Sequence, residues 1–380
     1  MRYISVCSGI EAASVAWHDL GWEPVAFAEI EPFPAAVLAH RWPHVPNLGD
    51  MTRIDGRQYR GKVDILVGGT PCQAFSIAGL RKGLEDARGN LTLTFVELAD
   101  AIQPPFVLWE NVPGVLSSKD NAFGCFLGGL SGADGPLLPP GGRWTDAGCV
   151  FGPSRAIAWR VLDAQYFGVA QRRRRVFVVA CPRGGADPTE ILFEWEGQRR
   201  DAPPLRKNGK EQIACTPESI SGTVSSKWAK GTGGPSGDEH YNLIVEQVVF
   251  HDVGPTIGSS GPPYSRPGNS YVETEAGIVV RERHGKPGGG KGPRIAEGLS
   301  LTLATSNDQV VFVDRPRKFM PVEGERLQGF PDGHTDIPWK GADHAPDSLR
   351  WKAIGNSMCV NVMRWIGERI QKMEEPCLNR

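Results

Sequence analysis

Short apolar runs of strand length recur through the first half of this chain, and the segments between them carry apolar residues at helical spacing. Strand-like spans at 2–7, 24–28, 63–67, 106–109, 156–162 and 176–181 alternate with helical spacing at 10–20, 34–41 and 91–102. A chain that keeps switching period in this way has to bury its strands between helices. The pattern predicts an α/β fold, a nucleotide-type arrangement with a largely parallel sheet and helices on both faces. At 380 residues the chain can build that core and still carry a second, smaller domain.

The texture changes between about residues 183 and 315. Glycine and proline crowd in, helical periodicity fades, and short β-rich pieces stand at 241–250, 277–281 and 309–313. With 47 glycines and 31 prolines the chain stays below the 25–30% level that signals disorder, so this stretch reads as a loop-rich β module. A faint echo runs through Gly222-Thr223-Val224-Ser225, Gly254-Pro255-Thr256-Ile257-Gly258 and Leu301-Thr302-Leu303-Ala304, a weak hint of repeated loop-strand units. Helical spacing returns at 322–328 and 361–373. The expected division is therefore 1–182, then the module at 183–315, then 316–380 returning to the first domain.

Lys and Arg total 42 against 43 Asp and Glu, a net charge of −1, so the molecule as a whole does not attract polyanions. Any phosphate contact has to come from local clusters, the densest being Arg172-Arg173-Arg174-Arg175, with Arg281, Arg283, Lys286, Lys291 and Arg294 dispersed later. The eight cysteines show neither CxxC pairing nor zinc-ligand spacing, which predicts reduced thiols and no metal. No secretory leader is visible at Met1 and charged residues interrupt every apolar stretch, so a soluble, cytoplasmic protein is expected.

Chemistry concentrates at two strand ends. Gly68-Gly69-Thr70-Pro71-Cys72-Gln73-Ala74-Phe75-Ser76 follows the apolar run at 63–67, which puts a thiol at the carboxyl end of a buried strand. About forty residues on, Pro105-Phe106-Val107-Leu108-Trp109 delivers Glu110-Asn111-Val112 to the same edge. These segments resemble the signature motifs of the DNA (cytosine-5) methyltransferases of bacterial or phage type, and the resemblance extends from Tyr3 to about Lys372. It implies a Rossmann-like methyltransferase fold with a smaller target-recognition domain, and S-adenosylmethionine as methyl donor. The substrate it implies is a cytosine flipped out of double-stranded DNA.

Carbon 5 of cytosine is a poor nucleophile while the ring stays aromatic, so a group must first add to carbon 6. A thiolate both adds and leaves well, which assigns Cys72 as nucleophile. A donor at N3 neutralises the charge that develops, and Glu110 fits that role. Gln171-Arg172-Arg173-Arg174-Arg175 resembles the family's Gln-x-Arg-x-Arg element. Matching by position selects Arg173 and Arg175, which alternation in an extended segment would send to one side, with Arg172 and Arg174 pointing away.

The family likeness places the cofactor against Cys7, Ser8, Gly9 and Ile10 after the first strand. Glu29 would take the ribose hydroxyls, beside Ile30, and Asp50 and Met51 would meet the adenine. Pro71 and the Gly355-Asn356-Ser357-Met358 element, through Asn356 and Ser357, would complete the site. The chain departs from the family where Cys7 replaces a common Phe and Glu11 a second Gly. DNA contacts are expected from Gln73, Ser76 and Thr302, with the loop at 79–89 over the flipped base and residues 183–315 reading the flanking sequence. Arg326-Leu327-Gln328-Gly329-Phe330-Pro331 is read as architectural. A monomer is expected, with room for a cognate restriction endonuclease as companion. Three alternatives stand beside this reading: a tRNA cytosine-5 methyltransferase, a catalytically idle DNA-binding relative, and an enzyme that methylates free pyrimidine nucleotides.

Overall fold

Strand β1 (Arg2–Val6) leads through α1 (Ala12–Trp17) to β2 (Glu23–Ala28), and α2 (Pro32–Arg41) follows, as the switching period requires. Then come β3 (Ile65–Gly68), α3 (Leu91–Ile102), β4 (Phe106–Asn111), α4 (Ala122–Ser131), β5 (Ala147–Phe151) and β6 (Arg155–Asp163). A two-residue strand, β7 (Gln171–Arg172), precedes β8 (Arg174–Pro182) and the short α5 (Pro188–Leu192). Near the C-terminus stand α6 (Pro321–Leu327), α7 (Asp347–Asn356) and α8 (Val360–Leu378). This computed structural model describes residues 1–71, 91–194 and 319–378, with side chains to 374, and backbone pieces at 221–222, 278–281, 294–297, 311–312 and 316–317.

Seven strands form one sheet in the order β2-β1-β3-β4-β8-β6-β5. The four strands β2, β1, β3 and β4 run parallel. The largely parallel expectation fails beyond them, because β8 lies antiparallel to β4 and β5 antiparallel to β6. Residues 152–154 are too short a link for the crossover that parallel strands need, so β5 and β6 fold as a hairpin.

Helices cover both faces. Val6, Leu66, Val107 and Trp109 share one core with Phe95 of α3 and Phe126 of α4. On the other face Tyr3 packs edge-on to Trp17 of α1, with ring centroids 5.0 Å apart, and Phe27 meets Trp42 at the end of α2. The Trp17 indole donates to the Met363 carbonyl at 2.9 Å, which docks α8 there.

The chain divides into two compact units, one of residues 1–162, 174–197 and 362–380, the other of 163–173 and 198–361. In the second unit, two buried glutamines link segments that are distant in sequence. Gln171 donates to the Leu327 carbonyl at 2.7 Å, and Gln328 donates to the Ile354 carbonyl at 2.9 Å while its own carbonyl accepts from the Val360 amide. Fully buried Glu325 accepts from the amides of Gly333 and Thr335, which makes the element around 326–331 a structural brace. The β-rich pieces expected at 277–281 and 309–313 contain strands at Ile278–Arg281, paired antiparallel with Arg294–Glu297, and at Val311–Phe312. The piece at 241–250 and the three echoed segments lie outside the fully described residues.

Candidate active site

The parallel pairing of β3 with β4 sets Gly68 opposite Trp109, so Thr70 and Glu110 leave the sheet at the same edge. Glycine is needed at 68, since a Cβ there would stand 2.9 Å from the Val6 carbonyl oxygen and 3.0 Å from the Phe95 ring. Thr70 is buried, and its carbonyl accepts from Asn111 Nδ2 at 3.0 Å. Its hydroxyl accepts from the Trp109 indole at 2.9 Å and lies 2.7 Å from Thr92 Oγ1. The next residue, Pro71, is exposed. Cys72, Gln73, Ser76, the 79–89 loop and Thr302 lie outside the described residues.

Glu110 is 8% exposed. Antiparallel pairing sets it opposite Phe177, so Arg175, two residues away on β8, projects from the same face as its diagonal neighbour. The Arg175 Nε stands 3.1 Å from Glu110 Oε1. Burial lowers the pKa of Arg175 and Glu110 acts to raise it; a guanidinium keeps its charge throughout. The edge thus presents a carboxylate with a fixed cationic neighbour, an arrangement suited to holding a polar heterocycle by its ring nitrogen and adjacent oxygen.

The guanidinium of Arg173 has other partners. Arg173 is 2% exposed and donates from Nη2 to the carbonyls of Ser357 at 2.6 Å and Gly355 at 3.2 Å, all within the second unit. It occupies an irregular step between β7 and β8, where the alternation expected of an unbroken strand does not hold. Arg172 approaches Asp163 and Arg174 pairs with Asp146, both arginines about half exposed.

The loop between β1 and α1 holds three left-handed residues in five positions, Cys7, Gly9 and Glu11, at φ of 50°, 56° and 65°. Two of them are not glycine, and strain of this kind gathers at binding sites. Above Gly9 the space is open, and a Cβ added there would meet nothing within 4 Å. Glu29 accepts from the Gly9 amide at 2.8 Å and the Glu31 amide at 2.7 Å, which fixes its carboxylate while leaving lone pairs for hydroxyl donors. Asn47 accepts from the amides of Glu29 and Gly49 and donates to the Glu29 carbonyl, tying the Asp50 turn to Glu29. Nothing at sequence level singled out Asn47, because its role exists only once 29 and 49 are neighbours.

Within this rim the Cys7 sulfur is 3.6 Å from the Met51 sulfur. Burial, with Glu29 and Asp50 adding to it, pushes the Cys7 thiol up to about 12, so it stays protonated and apolar in character. Asp50 is drawn down by accepting from the Thr52 amide and hydroxyl. Ile30 leaves 69% of its surface exposed, an apolar face beside the Glu29 carboxylate. Ile10 is fully buried and Ser8 bonds the Ser5 carbonyl and the Ala28 amide, so these two serve the loop's shape. Asn356 and Ser357 close α7 in the second unit.

A family model described as C-5 cytosine-specific DNA methylase matches residues 1–131 and 155–372. The chain belongs to that family. Its members are methyltransferases, which implies S-adenosylmethionine as donor, and an open glycine loop, an anchored carboxylate and an exposed apolar side chain fit such a group. The chain is 43% identical, over 97% of its length, to a protein of Escherichia phage P1 named DNA N-6-adenine-methyltransferase, and spans 61% of that protein. It is 31% identical to the type II methyltransferase M.NgoPII of Neisseria gonorrhoeae, covering 99% of this chain and 96% of that one. Among solved structures, the S. pombe Dnmt2 methyltransferase superposes with a TM-score of 0.54 at 15% identity over 99% of each chain, a likeness of fold. Among the described residues no helix is long and apolar enough to cross a membrane.

Proposed function

We propose that this protein methylates carbon 5 of a specific cytosine, turned out of double-stranded DNA, through a covalent adduct with Cys72. The supporting observation is the paired Glu110 and Arg175 at the end of β4, with the chain leading into Cys72 bonded to the residue after Glu110. In this reading the Cys72 thiolate adds to carbon 6 while Glu110 shares a proton at N3, and Arg175 holds the carboxyl in place. S-adenosylmethionine would be held by the rim of Gly9, Glu29, Ile30 and Asp50 with Cys7, Met51 and Pro71, and would supply an electrophilic methyl group. Loss of the carbon 5 proton to solvent then expels Cys72. Arg173 acts by shaping the turn at 355–357. Gln73, Ser76 and Thr302 contact DNA, residues 183–315 select the site, and the protein works as a monomer in the cytoplasm.

The printed name of the phage P1 relative favours a second reading, methylation of adenine N6. An exocyclic amino nitrogen carries its own lone pair and needs no thiol to add to the ring, so a cysteine nucleophile paired with Glu110 at N3 serves carbon 5 chemistry better. This chain also leaves more than a third of that relative unmatched, where a second activity has room to reside. The test is incubation with tritiated S-adenosylmethionine and duplex DNA, followed by digestion to nucleosides. Label in 5-methyldeoxycytidine is expected; label only in N6-methyldeoxyadenosine would overturn the proposal.

A further inference from the structure

Trp109 and Asn111 flank Glu110 in β4, so alternation turns both side chains to the face opposite the carboxyl. On that face both hold the same residue. The Trp109 indole donates to the Thr70 hydroxyl at 2.9 Å and Asn111 Nδ2 donates to the Thr70 carbonyl at 3.0 Å. A third grip comes from α3, whose second residue, Thr92, shares a 2.7 Å hydrogen bond with the same hydroxyl. Thr70 and Thr92 are each 3% exposed and Trp109 is fully buried, so water does not stand in for any of these bonds.

Thr70 also precedes a proline, which confines its own backbone to extended conformations, and Pro71 has its φ fixed by its ring. Few free torsions therefore separate the clasped threonine from Cys72. We infer that Thr70 is a positioning residue for the Cys72 nucleophile: its hydroxyl, clasped by Trp109 and Thr92, sets how the cysteine turn approaches Glu110. A purely space-filling role would be served equally by valine, which has the same shape. The hydroxyl is what joins β3, β4 and α3 at the point where the thiol and the acid must be brought together. This inference rests on the covalent reading above.

The experiment compares Thr70→Val with Thr70→Ser in the full chain. It measures single-turnover methyl transfer and the rate of covalent trapping on a duplex carrying 5-fluorocytosine. Thr70→Val is expected to slow both by about a hundredfold, the cost of an ångström-scale misplacement, with cofactor and DNA affinity unchanged. Thr70→Ser, which keeps the hydroxyl, is expected to restore most of the rate. Trapping by Thr70→Val at the wild-type rate, or equal slowing by Thr70→Ser, would overturn the inference. If Thr70→Val does not fold, Trp109→Phe and Thr92→Val each remove one grip, and wild-type trapping rates in both would overturn it equally. Failure of the wild-type protein to trap at all is a separate result, which overturns the proposed function and this inference with it.

Discussion

Arg175 and Glu110 keep only 16% and 10% of their side chains exposed, so each charge is tolerated because the other is present. Removing one partner of such a pair costs more than removing both, because a buried charge is left without compensation. Arg175→Ala is expected to destabilise the fold by about 3 kcal/mol, and the double variant Arg175→Ala/Glu110→Gln by less. Urea denaturation of the three proteins checks the order. Glu110→Gln alone, which cannot supply a proton at N3, should lower kcat by about 10²- to 10⁴-fold while DNA binding persists. Glu11 makes a different prediction. Buried at 1% exposure, it caps α1 by accepting from the Ser14 amide at 3.1 Å, and burial pushes its pKa from 4.5 to about 7. The hydrogen bonds from Ser5 and Ser14 oppose that shift and Glu29 adds to it. With the folded value above the unfolded one, the native state binds the extra proton between pH 4.5 and about 7. Stability is therefore full below 4.5 and falls as pH rises to about 7, by a total of roughly 3 kcal/mol. Glu11→Gln should flatten that slope, and an unchanged slope in denaturation curves across this range would refute the assignment.

At the scale of elements, one cation joins the hairpin to two helices. Arg155, the first residue of β6, is 6% exposed and donates to the carbonyls of Ala99 near the end of α3 and Leu130 near the end of α4, each at 3.1 Å. It also pairs with Asp100 at 2.6 Å, and a positive charge at two helix C-termini suits both dipoles. Arg155→Met keeps the aliphatic stem but strands those carbonyls, with an expected loss of about 3 kcal/mol seen as a lowered Tm. Much of this layer is legible in the sequence. Helix α3 occupies the residues its spacing predicts, 91–102, and β1, β2, β4, β6 and β8 fall within two residues of expectation. Helix α4 is not legible there, because nine of its ten residues are buried and no polar stripe marks its period. Its Gly124 and Gly128 also look like breakers, whereas they admit the backbone of Leu137 and Gly135 against the helix. Strand β5 is hidden for the opposite reason: at the sheet's edge its residues are alternately exposed and half-buried, so no apolar run forms. The acid of the site is legible in Glu-Asn-Val, while the Thr70 clasp is not, since it needs residues 70, 92, 109 and 111 to be neighbours.

At the scale of the whole molecule, a net charge of −1 means that attraction to DNA cannot select a sequence, nor even supply much affinity, without particular contacts. Phosphate contacts fix register and carry no sequence information, so the choice of site has to come from groups that reach base edges. Under the proposed function, the sheet edge that carries Glu110 would handle only the extruded base, while its neighbours in the duplex stay stacked. The proposed function would then give site choice to a part of the chain that takes no share in the chemistry, and residues 183–315 are the stretch whose composition departs from the α/β core. If that division holds, reading and chemistry are separable. Replacing 183–315 by the corresponding segment of M.NgoPII should then move methylation to that relative's site while Cys72 and Glu110 go on reacting as before. Bisulfite sequencing of DNA from cells expressing the chimera provides the readout. Methylation that persists at the original site would place the reader within the core, and a chimera that still traps 5-fluorocytosine duplexes would show that the altered site did not come from a collapsed fold.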